Sequence, residues 1–172
     1  MQPPADSPTP AALLRPEHAA WIARGVSTIV ASRDALHHPS LMRAVGADIA
    51  GDGGRITVYL NQLTARQVLA DLEATGQIAV VFSEPSTNRS LQVKARRVEL
   101  RPAEARDAAV LQRYLRGMEW QLGQIGFSPV HTRAMLAHRL DDVVAVGFTP
   151  EQAFDQTPGR QAGAPLAGGT RP

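Results

Sequence analysis

Between residues 51 and 76, "GDGGRITVYLNQLTARQVLADLEATG", the hydrophobic pattern changes from strand to helix within a few residues. Ile56, Val58 and Leu60 alternate with Thr57, Tyr59 and Asn61, a period of two that gives a strand one core face and one polar face. Immediately afterwards Ala65, Val68, Leu69 and Leu72 fall on one side of a helix. Thr64, with Gln67 three residues on, has the capping-box pattern for its start, and Gly76 ends it. The glycine-rich "GDGG" reads as a turn that folds the strand back on the extended segment 39–50 as a hairpin.

The rest of the chain continues this alternation of short strands and helices. "VSTIVAS" (26–32), "QIAVVFSE" (77–84) and "DVVAVGFTP" (142–150) are short apolar runs of strand type. In "NRSLQVKARRVEL" (88–100), Leu91, Val93 and Ala95 share one parity while Val98 and Leu100 have the other, so a β-bulge is expected near Arg96 and Arg97. A short helix is expected in "RPEHAAWIARG", started by Pro16 and stopped at Gly25. A long amphipathic helix is expected over 103–125, where Ala108, Leu111, Leu115, Met118, Leu122 and Ile125 recur at spacings of three or four. A second, opened by Ser128 and Pro129, should run to about Leu140. Strands joined mostly by turns, with helices inserted, predict a mainly β fold with helices, an antiparallel barrel rather than a βαβ sheet. The proline-rich residues 1–15 and the small polar residues 159–172 are expected to be disordered, leaving one domain over 16–158.

Composition removes several functions. Eighteen basic residues, of which only Lys94 is a lysine, face sixteen acidic ones, and a net charge of +2 offers little to nucleic acid. With no cysteine there are no disulfides, thiolate metal sites or thiol nucleophiles, which fits a reducing, cytoplasmic setting. No apolar run reaches membrane-spanning length, so no membrane partner is expected. The glycines form neither familiar phosphate loop, and there is no nucleophile-elbow or H-E-x-x-H motif. His131 and His138, seven apart on the expected second helix, sit roughly 10 Å apart, too far to share a metal unaided.

One constellation carries chemistry. The polar row Thr57, Tyr59 and Asn61 leads through Gln62 into a helix start bearing Thr64 and Arg66, where free N–H groups, the helix dipole and a guanidinium suit an anion. On a later strand Ser90, Gln92 and Lys94 share one face. The two rows either line one polar wall or are simply the wet side of a small barrel. Trp120 lies off the apolar stripe of its helix and serves either as an interface anchor or in helix packing.

The order and spacing of "GVSTIVASRDALHHPSLMRAVGADI", "RITVYLNQLTARQVLADLEATGQIAVVFSEPSTNRSLQVKARRVEL" and "EQAFDQTPG" resemble the pyridoxamine phosphate oxidase-like family of flavin-binding split barrels, over residues 16–158. The resemblance implies a six-stranded Greek-key split barrel and a homodimer, with FMN held at the subunit interface and its phosphate near the strand-to-helix junction. Carried over by position, it implicates Asn61, Gln62, Thr64 and Arg66 in "NQLTAR", Ser90, Gln92 and Lys94 in "RSLQVK", and Arg43 on the second strand; Tyr59 joins them from the polar row. Relative to Pro39, Arg43 stands one residue later than in the true oxidases. Asp48 replaces a basic residue, and the C-terminal stretch lacks their Trp and Arg pattern, which argues against vitamin-B6 synthesis. The implied activity is a flavin-dependent oxidoreductase acting on a small molecule. Members that use deazaflavin or haem, or that bind without catalysis, keep a non-catalytic cofactor-binding module as the alternative.

Overall fold

In a computed structural model, residues 13–166 are described. The chain runs α1 (Pro16–Ala23), β1 (Ser27–Arg33), β2 (Pro39–Arg43), β3 (Gly46–Ile49), β4 (Ile56–Asn61), α2 (Arg66–Thr75), β5 (Ile78–Ser83), β6 (Ser90–Ala95), β7 (Glu99–Pro102), α3 (Ala108–Gly123), α4 (Pro129–Met135), β8 (Val143–Phe148) and β9 (Gln152–Asp155). Two antiparallel sheets result, one of five strands in the order β2-β1-β5-β6-β9 and one of four in the order β3-β4-β8-β7.

Nine strands replace the six expected, and among the described residues no ladder closes the two sheets into a barrel. The physical reason is that long extended segments break and change sheet. Segment 39–50 divides at Ala44, whose N–H still bonds the Thr28 carbonyl in the first sheet (2.9 Å), while the N–H of Val45 already bonds Tyr59 in the second (2.8 Å). The segment from 90 to 102 divides at residues 96–98. There the expected bulge is instead a full break between sheets: Leu91, Val93 and Ala95 are buried in the first half, and Val98 and Leu100 pack partly buried on the same core in the second. A third passage, over 149–151, leads to β9, which had not been recognised as a strand.

The main core lies between the sheets and takes in Ile22, Val30, Val58, Leu72, Val80, Phe82, Val93 and Phe148, all at most 1% exposed. α1 and α2 each contribute an apolar face to it, Trp21 and Ile22 from the first, Val68, Leu69 and Leu72 from the second. α2 is not capped as expected. Ala65 is its N-cap residue, no side chain caps it, and Gln67 turns instead to Asp71 (2.8 Å). Gly76 does end it, in the left-handed conformation that glycine adopts without strain. α3 begins only at Ala108, after a 3-10 turn, and α4 ends at Met135, so His138 lies beyond the helix. α3 approaches the α1–β1 connection so closely that a Cβ on Gly117 would overlap the Arg24 carbonyl oxygen.

The N-terminal segment expected to be disordered lies outside the described residues as far as residue 12, while Leu14 is fully buried. In the tail, the Leu166 N–H bonds the Ala153 carbonyl (2.9 Å) and Leu166 packs on the core, so chain beyond residue 158 still contacts β9; 167–172 lie outside the described residues.

Candidate functional site

The five-stranded sheet has one face in the core and one that is half-exposed. β1, β5 and β6 all alternate buried with partly exposed positions, and the antiparallel register aligns the outer positions into rows across the sheet. One row reads Arg43, Ile29, Val81, Gln92, Phe154. A second, toward one end, is Ser27, Ser83, Ser90. A third, toward the other end, is Leu41, Ala31, Ala79, Lys94, Gln152. Ser90, Gln92 and Lys94 therefore share an outer face, as their alternation predicted. Sequence reasoning missed Ser27, Ile29, Ser83 and Val81 beside them. Their own alternation was visible, but which strands would be neighbours was not.

At the serine end the Arg43 guanidinium donates to Ser27 Oγ (2.7 Å), and Ser83 Oγ and Ser90 Oγ are 2.8 Å apart. Just beneath, the N–H of Thr28 donates to the hydroxyl oxygen of Tyr114 (3.1 Å). Burial pushes the Tyr114 phenol up, opposed by its bond to Thr28 and by the Arg43 charge. The strand-to-helix junction comes to this same end. Asp71 of α2 bonds Ser40, and Thr75 reaches the Arg33 carbonyl, so α2 runs along β2 with its N-terminus toward Arg43. The β3–β4 register, continued two residues, sets Asn61 level with Ala44, next to Arg43.

In that junction Asn61 is used locally: its side-chain oxygen accepts from the N–H of Leu63 (3.0 Å) and its carbonyl from Thr64 and Ala65. Gln62 is exposed, and its Nε2 donates to the Asp141 carbonyl (3.3 Å). Thr64 Oγ1 points back to the Asn61 carbonyl (3.3 Å). Arg66 is exposed and has no ion-pair partner among the described residues. With no side-chain cap on a ten-residue helix, the first-turn N–H groups have no side-chain partner, and the exposed Arg66 stands in the same turn.

Tyr59 does not belong to this site. It is 2% exposed and lies with Val45, Leu111, Val143 and Ala145 in a second core beneath α3. Its hydroxyl donates to Asp107 Oδ1 (2.9 Å), and burial followed by this bond to a carboxylate pushes its phenol far up. The polar parity of β4 is distinct from its core face, and at Tyr59 α3 covers it. Asp48, at the position of a basic residue in the oxidases, accepts from Arg113 of α3 (2.6 Å) and tethers that helix to β3.

At the far end Lys94 extends over the Phe154 ring, with Nζ 5.1 Å from the centroid, beside a cleft of about 520 Å³. Trp120 is 61% exposed, and Ile125, Phe127 and Val130 are exposed on the chain that follows it, so it is not used in helix packing within the chain. Among the described residues no helix is long and apolar enough to cross a membrane.

No family model matches the sequence, and no curated protein matches it. Solved structures do. HupZ of Group A Streptococcus matches at TM-score 0.52 and 15% identity, over 86% of this chain and 98% of that one. An F420 reductase matches at TM-score 0.54 and 14% identity, over 78% and 93%. A candidate pyridoxamine 5′-phosphate oxidase of Lactobacillus delbrueckii matches at TM-score 0.50 and 12% identity, over 80% and 91%. The chain has the fold of the pyridoxamine phosphate oxidase-like proteins.

Proposed function

We propose that the protein binds FMN along the outer face of its five-stranded sheet, as a homodimer, and uses it as a small flavin-dependent oxidoreductase. The observation that carries the reading is Arg43, held by Ser27 beside the serine row at one end of a half-apolar sheet face, while α2 packs on the opposite, core face with its uncapped start toward the same end. A guanidinium already oriented by Ser27 suits a phosphate, and the free first-turn N–H groups of α2 and the unpaired Arg66 lie toward the same end of the sheet. Ile29 and Val81 then supply a flat apolar wall for the ring system, edged by the Gln92 amide. Bound FMN would supply reversible hydride chemistry. The chain's own contribution is to anchor the anionic end, to offer amide and hydroxyl partners along Ser90 and Gln92, and to shield one ring face from water. That F420 reductase shares the fold keeps a deazaflavin as the alternative ligand.

A second copy would complete the cover. Leu41, 65% exposed on the edge strand β2, and the exposed Trp120, Ile125 and Phe127 are the apolar surface it would bury. The test is FMN titration followed by quenching of flavin fluorescence, alongside sedimentation. Parent protein should bind as a dimer, with Arg43→Gln and Arg66→Ala each weakening FMN by about 2 kcal/mol and leaving the apo melting temperature unchanged. No binding by the parent, or affinities in both variants equal to the parent's, would overturn the assignment.

A further inference from the structure

The Lys94 end of the same sheet is built differently from the Arg43 end. The cleft there, about 520 Å³, has a floor of small residues: Ala31 and Ala79 are direct partners across β1 and β5, and Ala79 is in turn the partner of Lys94 on β6. A larger side chain at either alanine would fill the space, so the cleft exists because these two outer positions are alanine.

Its rim is cationic. Arg33, Lys94 and Arg96 line it, with a single carboxylate, Glu151. That carboxylate is taken: it accepts from Arg96 Nε (2.8 Å) and from the Arg96 backbone N–H (3.1 Å). Arg33 donates only to the Asp34 carbonyl (3.0 Å), and neither it nor Lys94 has a carboxylate partner among the described residues. Two uncompensated positive charges thus flank a small apolar floor, and the side-chain amides of Gln77 and Gln152 add neutral donors. The neighbouring cavity around Arg55, Arg97 and Glu99 carries less excess charge, since Arg55 is paired with Glu99 and Arg96 with Glu151, leaving Arg97 alone without a carboxylate among the described residues.

We propose that this cleft binds a small organic dianion, its carboxylate or phosphate groups held between Arg33 and Lys94 and its short carbon skeleton lying on Ala31 and Ala79. The planar Arg33 fork suits a bidentate oxyanion, and the Lys94 ammonium supplies a mobile point charge opposite. The Lys94 row lies next to the row containing Val81 and Gln92, one side-chain repeat or about 7 Å along the strand. The bound anion would therefore adjoin the wall assigned to the flavin ring, which makes it the substrate class of the proposed oxidoreductase. That last step rests on the cofactor reading; the anion site itself rests on the cleft alone.

The experiment is titration of the ¹⁵N-labelled apo-protein with succinate and, separately, with inorganic phosphate, following the amide signals of Ala79, Lys94 and Gln152. Saturable shifts at these residues with either anion are expected, succinate acting as carboxylate probe and phosphate as phosphoryl probe. Lys94→Met should weaken the binding by about tenfold or more, as loss of one charge-assisted contact does. Ala79→Leu, which adds bulk on an outer face and leaves the core intact, should abolish it. Arg43→Gln should leave it unchanged. No saturable shift with either anion, or undiminished affinity in both Lys94→Met and Ala79→Leu, overturns the site. Anion binding in a protein that fails to bind FMN would keep the site and overturn the oxidoreductase reading.

Discussion

Asp107 ties Tyr59 of the second core to Arg101 and to the turn before α3. Its carboxylate accepts from Arg101 through both Nη1 (2.7 Å) and Nη2 (2.9 Å), from the buried Tyr59 hydroxyl (2.9 Å) and from the Glu104 backbone N–H (2.8 Å). Asp107→Ala leaves these four donors without their acceptor, at unequal cost. Arg101, 36% exposed along its side chain, and the Glu104 N–H regain water, so each loss is about 1 kcal/mol or less. The Tyr59 hydroxyl, beneath α3 in a residue 2% exposed, regains nothing and costs about 1–3 kcal/mol. The expected total is about 3 kcal/mol, a fall in melting temperature of about 6–12 °C for a chain of this size. Urea and thermal unfolding followed by circular dichroism measure it. Tyr59→Phe should cost less, about 1 kcal/mol. The double variant should then be less destabilised than the sum, because the orphaned hydroxyl is gone. The pH dependence has a definite sign. The bond from Arg101, outweighing burial, holds the Asp107 carboxyl well below the usual carboxylate range, so its stabilisation is complete above about pH 4 and is lost as pH falls further. The gap between parent and Asp107→Ala should accordingly narrow below pH 4. A gap under about 0.5 kcal/mol at pH 7, or strictly additive single variants, would refute the reasoning.

Gly117→Ala sets a methyl against the Arg24 carbonyl and 2.8 Å from Gly25 Cα, with backbone on both sides; unfolding should show about 3 kcal/mol lost, and a loss under 1 kcal/mol would mean that α3 can shift. Tyr114→Phe removes the acceptor of the buried Thr28 N–H and should cost about 1–2 kcal/mol by chemical denaturation. Trp120→Ser should leave the unfolding free energy of the monomer within about 0.5 kcal/mol, since the indole is largely exposed, while weakening self-association in sedimentation; an unchanged dimer would remove Trp120 from the interface.

Local patterns in the sequence carried a good deal of this. The alternation of Ile56, Val58 and Leu60 and the stripe from Val68 to Leu72 predicted β4 and α2, because period and core face are local properties of the chain. The same alternation put Ser90, Gln92 and Lys94 on one face. Three matters needed tertiary structure. Where an extended segment breaks and changes sheet, as at Ala44 and at residues 96–98, depends on which strands flank it, and a parity change looks the same for a bulge and for a break. Whether a polar strand face meets water depends on what docks there: α3 buried Tyr59 against Asp107, and no feature of β4 itself announces that helix. Finally, the two ends of the outer sheet face were assembled across strands, Arg43 with Ser27 at one and Arg33 with Lys94 at the other. The sequence separations involved, 16 and 61 residues, are bridged only by cross-strand register, which pairing and core packing decide together.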